Sequence, residues 1–324
     1  MSSMLYRFIS FFELYRIVSK KQLRLTKAAL FEDKNEAIGN ILQLQEDELL
    51  RDFYINPPDI EKAHRTFLEN TFVSCWTREP DMIAIWALYS RDSMGVRIKT
   101  SFEKLTEVLK SYESETAWSK FKPQELKSDI QVTVNTFLGD VEYVDFIKLR
   151  DQIRQKHKKF EQQFSVKYRA RNGEVPPEEF RRDYKECLDN KILDPQKQGL
   201  FLKDRAYMHE HEVRAVVKVA RLGPTSWDKY VKATDMQRFL MVPYELVAPN
   251  TLAPALFLKV PQDFIEEVCI DPRCPAHVLE AYQDILTPFG LTFAPSQAFG
   301  SLVKRGDLGS TIDGDPLCIA PGMV

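Results

Sequence analysis

Apolar residues Leu14, Ile17 and Val18 recur at helical spacing between Glu13 and Lys20, whereas Leu23 and Leu25 alternate with polar neighbours from Gln22 to Thr26. The first period predicts a helix and the second a half-buried strand, and Met4 to Ser10 ahead of them reads as a short strand. The order returns further on: Asn70 to Trp76 is β-rich, Met82 to Tyr89 places Ile83 and Trp86 at helical spacing, and Gly95 to Lys99 alternates. Between these two strand, helix, strand units, Ile38 to Leu68 carries a polar-faced helical pattern broken at Asn56, Pro57 and Pro58, where proline removes the helix hydrogen bond.

Phe102 to Leu109 predicts another helix and Val141 to Val144 an extended segment. From Asp145 to Arg171 the pattern is a long basic amphipathic helix, with Ile153, Phe160 and Phe164 on one face and Lys156, Lys158, Lys159, Lys167, Arg169 and Arg171 over the rest. A turn at Asn172, Gly173, Pro176 and Pro177 precedes a second polar helix over Glu178 to Leu188. Leu200 to Lys203, Val213 to Val219, Phe239 to Val247, Leu256 to Val260 and Val268 to Ile270 read as extended, and Ala276 to Leu286 as a helix. These elements predict an α+β fold of small, mixed or antiparallel sheets. They form one domain over 1–305, with a mainly helical insertion at about 102–195 and a loose Gly- and Pro-bearing tail over 306–324.

Composition narrows the class. The 324 residues carry 45 Lys and Arg against 47 Asp and Glu, a formal charge of −2, so contact with nucleic acid would have to come from a local patch. Only 12 residues are glycine, below the usual share, which argues against collagen-like, linker-rich and propeller-like chains. Cys75, Cys187, Cys269, Cys274 and Cys318 are odd in number, with no CxxC pair, and read as inert thiols of a reducing compartment. The apolar start is broken by Arg7 and Glu13 and lacks a small-residue cleavage site, and no run of about eighteen apolar residues follows. The expectation is a cytosolic soluble protein with no membrane partner.

The sequence contains no GxGxxG, no GxxxxGK[ST], no HExxH, no GxSxG and no H-x-E with PCxxC, which removes the common phosphate-cradle, metallopeptidase, hydrolase-elbow and zinc-deaminase readings. What stands out is an ordered set: Arg7 on the first strand, Ser74 near the end of another, and Glu210 and Glu212 entering a third. Carboxylates at i and i+2 of a strand point to one face, and their mutual repulsion is expected to raise one carboxyl pKa, as proton abstraction or cation stabilisation requires. His209, Glu210, His211, Glu212 and Arg214 could equally form a solvated strand edge with cross-strand charge pairs. Likewise Trp86 and Tyr89 at i, i+3 suit either a ring-stacking platform or a core.

The opening LYRFIS, the segment LFEDKNE (Leu30 to Glu36), the block FVSCWTREPDMIAIWALYSRDSMGVRI (Phe72 to Ile98) and AYMHEHEVR (Ala206 to Arg214) together resemble, in order, a bacterial domain-of-unknown-function family, number 2971. The second segment departs from that family's pattern, with Glu32 and Lys34 where it carries Asn and Pro. The order Arg7, Ser74, Glu210 and Glu212 is also similar, in part, to the R-S-E class of ADP-ribosyltransferases. That resemblance implies a split sheet and NAD as substrate, with Arg7 on its phosphate or ribose and Ser74 on the nicotinamide ribose. It further implies Glu212 on the ribose 2′-hydroxyl, Glu210 toward the nucleophile, and Trp86 or Tyr89 against nicotinamide.

Three functions follow as expectations. The first is an NAD-consuming transferase acting on a macromolecule, of the toxin or phage-defence kind. The second is a non-catalytic nucleic-acid-binding or regulatory module using Lys156, Lys158, Lys159 and Arg169 of the basic helix. The third is a nuclease or other hydrolase holding Mg²⁺ with carboxylates such as Asp33, Glu36, Glu210 and Glu212, although no metal-ligand motif is present.

Overall fold

The structure is a computed structural model and describes residues 3–31, 33, 64–169, 200–225, 227–228, 253–296 and 298. Residues 38–63 of the helical stretch expected over 38–68, the helix over 178–188, the strand over 239–247 and the tail over 306–324 lie outside the described residues.

The first unit forms as its periodicity dictates. Strand β1 (Met4–Ser10) runs into helix α1 (Phe11–Lys20), whose N-terminus is capped by the Ser10 hydroxyl accepting from Glu13 N at 3.2 Å. Leu14, Ile17 and Val18 are buried, the chain turns at Lys21 in the left-handed region, and β2 (Gln22–Lys27) follows with Leu23 and Leu25 buried. The second unit comprises β3 (Thr71–Thr77), α2 (Ile83–Tyr89) and β4 (Gly95–Ser101). Gly95 is needed where β4 begins, because a Cβ there would lie 2.7 Å from the Ser90 side chain.

Beyond β4 come α3 (Phe102–Thr116), β5 (Ile130–Asp140), β6 (Glu142–Val144) and α4 (Phe146–Arg169). The chain then forms β7 (Leu202–Asp204), a 3-10 turn over Arg205–Glu210, β8 (Glu212–Leu222), β9 (Ala255–Lys259), β10 (Glu267–Ile270) and α5 (Ala276–Leu286). The α+β organisation stands. Eight strands gather in one branched sheet whose pairings are antiparallel, while β6 and β7 make a separate parallel pair. β5 was not expected from the sequence. It lies within the 102–195 stretch, pairs with β8 along its length and carries a bulge between Thr133 and Asn135.

The sheet path is β10-β4-β1-β3-β2-β9, with β8 and β5 branching from β3. One edge of β3 pairs with β8 from Thr71 to Thr77. The other edge is shared: β2 pairs at Phe72 and Val73, and β1 only at Thr77. At Ser74, Cys75 and Trp76 neither β1 nor β2 is in register with β3, and the sheet is split there. On one face, α1, α3 and α5 cover the main core, which includes Leu5, Leu14, Leu105, Val217 and Phe264. On the other face, Trp86 of α2 packs edge-on against Phe8, with ring centroids 4.7 Å apart.

Candidate active site

β3 carries the split, so the residues near its open edge come from separated parts of the chain. In register, Tyr6 of β1 stands opposite Thr77 of β3, and Thr77 stands opposite Glu212 of β8. That row brings the first strand and the late acidic motif to one end of β3. A small cleft lies there, lined by residues including Arg7, Cys75, Trp76, Tyr89, Glu210 and Glu212.

Arg7 lies in the split. Its Nη2 pairs with Glu13 Oε1 at 2.9 Å, its Nη1 donates to the Arg24 carbonyl of β2, and its guanidinium carbon stands 5.8 Å from the Trp76 ring centroid. The guanidinium is a cation on one wall of the cleft.

The acidic motif is neither a plain strand pair nor a solvated edge. Glu210 ends the 3-10 turn and Glu212 opens β8, with His211 between them in the left-handed region at φ 43°. Histidine is among the residues that tolerate this conformation, and the reversal lets both carboxylates meet one cation. That cation is Lys203 of β7, whose Nζ lies 2.5 Å from Glu210 Oε2 and 3.0 Å from Glu212 Oε2. Arg214 donates from Nε to Glu212 Oε1 at 2.8 Å, and Nη1 donates to the Leu200 carbonyl. Glu210, Glu212 and Arg214 are all buried, because β8 is an interior strand between β3 and β5.

The electrostatics correct one expectation. Repulsion between the carboxylates was expected to raise one pKa, and burial of Glu212 acts the same way. The adjacent Arg214 and Lys203 cations outweigh both and hold the Glu212 carboxyl down at about 2, with a hydrogen bond from Cys75 contributing. Lys203 is driven above the ordinary lysine value: burial opposes its charge, but Glu212 and Glu210 more than compensate. Glu212 is thus a permanent anion at neutral pH. Its backbone N–H also donates to the Tyr143 hydroxyl of β6 at 2.8 Å.

Tyr89 ends α2 at the cleft mouth and is 51% exposed. Burial of its hydroxyl and then the Glu210 carboxylate raise that hydroxyl's pKa. Trp86, one helical turn back, is fully buried, donates from Nε1 to Asp81 Oδ1 at 2.8 Å, and does not line the cleft. Ser74 is likewise buried and outside the lining, and among the described residues its hydroxyl has no hydrogen-bond partner. The structure therefore brings together Arg7, Tyr89, Glu210 and Glu212, and sets Ser74 and Trp86 behind the cleft wall.

Of the basic residues, Lys158 and Lys159 are exposed on α4, and the side chains of Lys156 and Arg169 lie outside the described residues. Leu149 and Ile153 of that helix pack on Leu202 of β7. Glu36 also lies outside the described residues. Among the described residues no group of three or more His, Cys, Asp or Glu side chains is arranged to hold a metal ion, and no helix is long and apolar enough to cross a membrane. Sequence reasoning missed Lys203, Cys75 and Tyr143 as site residues. The one available signal was Lys203 closing an extended segment seven residues before Glu210.

Comparison with known proteins agrees with the first resemblance. The family described as a protein of unknown function (DUF2971) matches over residues 85–215, which spans α2, β4, the 3-10 turn and the start of β8. No curated protein matches the sequence. Two solved structures are similar over 91% of this chain. They are Thermus sp. 2.9 DarT in complex with NAD+ (9% identity, 93% of that chain, TM-score 0.28) and the same protein in complex with ADP-ribosylated ssDNA (10%, 92%, 0.28).

Proposed function

We propose that the chain is an NAD-consuming transferase that moves ADP-ribose onto a macromolecular acceptor. The observation that carries this reading is the meeting of Arg7 of the first strand with Glu210 and Glu212, some two hundred residues later, around one cleft at the split of the sheet. The cleft itself is small, so most of a dinucleotide would lie outside it.

In the proposed reaction, the bond between nicotinamide nitrogen and ribose C1′ breaks with its electron pair going to the nitrogen. The cation that develops on the ribose is stabilised by the fixed negative charge of Glu212, and the acceptor nucleophile then bonds C1′ and loses its proton to Glu210. A carboxylate held at about 2 remains charged at every physiological pH, which suits the first task. Arg7 would take a phosphate or ribose oxygen, and the exposed Tyr89 ring would stack on nicotinamide. Ser74 and Trp86 receive no substrate contact in this assignment, because both lie behind the lining.

Incubation of the protein with NAD labelled in the adenosine half, together with nucleic acid or cell extract, should release nicotinamide and label a macromolecule. Glu212→Gln should abolish both. Full turnover by that variant would overturn the assignment.

A second reading, nucleic-acid binding without chemistry, is favoured by exposed Lys158 and Lys159 on α4. Binding to single-stranded oligonucleotides across a salt series, lost in Lys158→Glu/Lys159→Glu, would support it. The Mg²⁺-hydrolase alternative loses its central pair, since Lys203 sits between Glu210 and Glu212 where a divalent cation would have to bind.

A further inference from the structure

Among the described residues, Lys203 hydrogen-bonds both members of the acidic pair. It is 11% exposed, its ammonium contacts Glu210 Oε2 and Glu212 Oε2, and it stands 4.6 Å from the Tyr207 ring centroid. Arg214 takes the other oxygen of Glu212 and reaches Oε2 as well, at 3.4 Å. Every oxygen of Glu212 is thus engaged by a cation. Glu210 differs: its Oε1 accepts no hydrogen bond from the described residues, although the residue lines the cleft.

We propose that Lys203 is a positioning residue, which gathers Glu210 and Glu212 at one point and leaves Glu210 Oε1 as the oxygen presented to substrate. The cations offset the mutual repulsion of the two carboxylates, so neither drives the other out of place. The ammonium suits this task better than a guanidinium, because it is a compact point charge with three donors that can satisfy two acceptors and face Tyr207 at once. β7 supplies the rigidity. Leu202 is buried against Leu149 and Ile153 of α4, so the adjacent Lys203 leaves the backbone from a packed position. The other ionisable groups acting on the pair are Cys75 on β3, Tyr89 on α2, Tyr143 on β6 and Arg214 on β8. Among the described residues the Glu210 carboxylate is held by Lys203, while its backbone carbonyl accepts from Thr77 Oγ1 at 2.7 Å.

This inference rests on the transferase reading for its kinetic arm and stands apart from it in its titration arm. Lys203→Met and Lys203→Arg are compared with the wild type, using protein labelled with ¹³C at the glutamate side-chain carboxyl and Glu→Gln variants for assignment. In Lys203→Met, the Glu212 carboxyl should titrate at least about one pH unit higher, the direction set by losing a neighbouring cation. Nicotinamide release should fall by roughly tenfold or more in kcat while KM for NAD stays within about threefold, since no substrate contact is lost. Lys203→Arg should restore the titration and most of kcat. Unmoved titrations in Lys203→Met overturn the proposal whatever the kinetics. Moved titrations with no nicotinamide release from the wild type uphold the role of Lys203 on the pair and overturn the transferase reading instead. Should Lys203→Met fail to fold, the wild type still decides, since a Glu212 carboxyl titrating at the ordinary glutamate value means that Lys203 does not hold the pair.

Discussion

Arg7 donates from Nη1 to the carbonyl of Arg24 at 3.4 Å, joining β1 to β2 across the gap that the two strands leave along β3. The contact is long, and the carbonyl is a weak competitor for a guanidinium, so a phosphate oxygen entering the cleft would displace it at little cost.

Arg7→Met should therefore separate binding from folding. In urea unfolding the loss should be roughly 1–2 kcal/mol, from the part-buried Glu13 ion pair and the Arg24 bond. In nicotinamide-release kinetics KM for NAD should rise about tenfold, equivalent to about 1.4 kcal/mol. An unchanged KM would remove Arg7 from the substrate site.

Arg214 has the opposite balance. It is 1% exposed and bonds a buried carboxylate, so Arg214→Met leaves Glu212 as an interior charge with Lys203 as its remaining cation. Breaking a buried pair in this way costs roughly 3–5 kcal/mol. Because Lys203 still pairs with Glu212 in that variant, the loss should fall at the lower end of this range. Adding Glu212→Gln should recover part of it, and a double-mutant cycle by chemical denaturation measures the coupling.

Stability should depend on pH through the same cluster. The Glu212 carboxyl is depressed to about 2 in the folded chain from 4.5, so its contribution is present above 4.5 and is lost as pH falls towards 2. A shift of this size corresponds to about 3 kcal/mol. Lys203 is raised above 10.5, so its contribution is present below that pH and fades only on the alkaline side. Glu212→Gln should flatten the acid limb of the unfolding curve between pH 4.5 and 2, and an unaltered limb would place the acid-sensitive group elsewhere.

Trp86 and Tyr89, three residues apart on α2, should respond differently. Trp86 is fully buried against Phe8, and Trp86→Ala should cost about 3–5 kcal/mol. Tyr89→Ala removes a half-exposed ring and should cost stability less than about 1.5 kcal/mol, with its effect appearing in nicotinamide release. A Tyr89→Ala variant that unfolds like Trp86→Ala would make both of them core residues.

His211 offers a backbone test. Its φ of 43° suits glycine, so His211→Gly should leave stability nearly unchanged, whereas the β-branched His211→Val should cost roughly 1–3 kcal/mol. Thermal unfolding of the two variants checks the difference, and equal losses would mean that the turn is not held in this conformation.

Much of the fold is written in local periodicity. The 2.0 and 3.6 residue repeats locate β1, α1, β2, β3, α2 and β4, and the helix expected over Ala276 to Leu286 is α5 without adjustment. β5 escaped because Gln131 to Thr136 mixes Thr and Asn with Val and carries a bulge, so its alternation is broken where β8 pairs with it. The closeness of Glu210 and Glu212 is also local, since two residues cannot separate far. Tertiary structure decided the rest. Whether Trp86 faced a ligand or the core depended on Phe8 from another strand. Whether Glu212 carried a raised or a lowered pKa depended on Arg214 and on Lys203, which β7 delivers from outside the motif. Pattern along a chain reports what neighbours in sequence bury, but the charge and packing felt by a side chain are set by whichever remote segment folds against it, because Coulomb and dispersion forces act across space and not along the backbone.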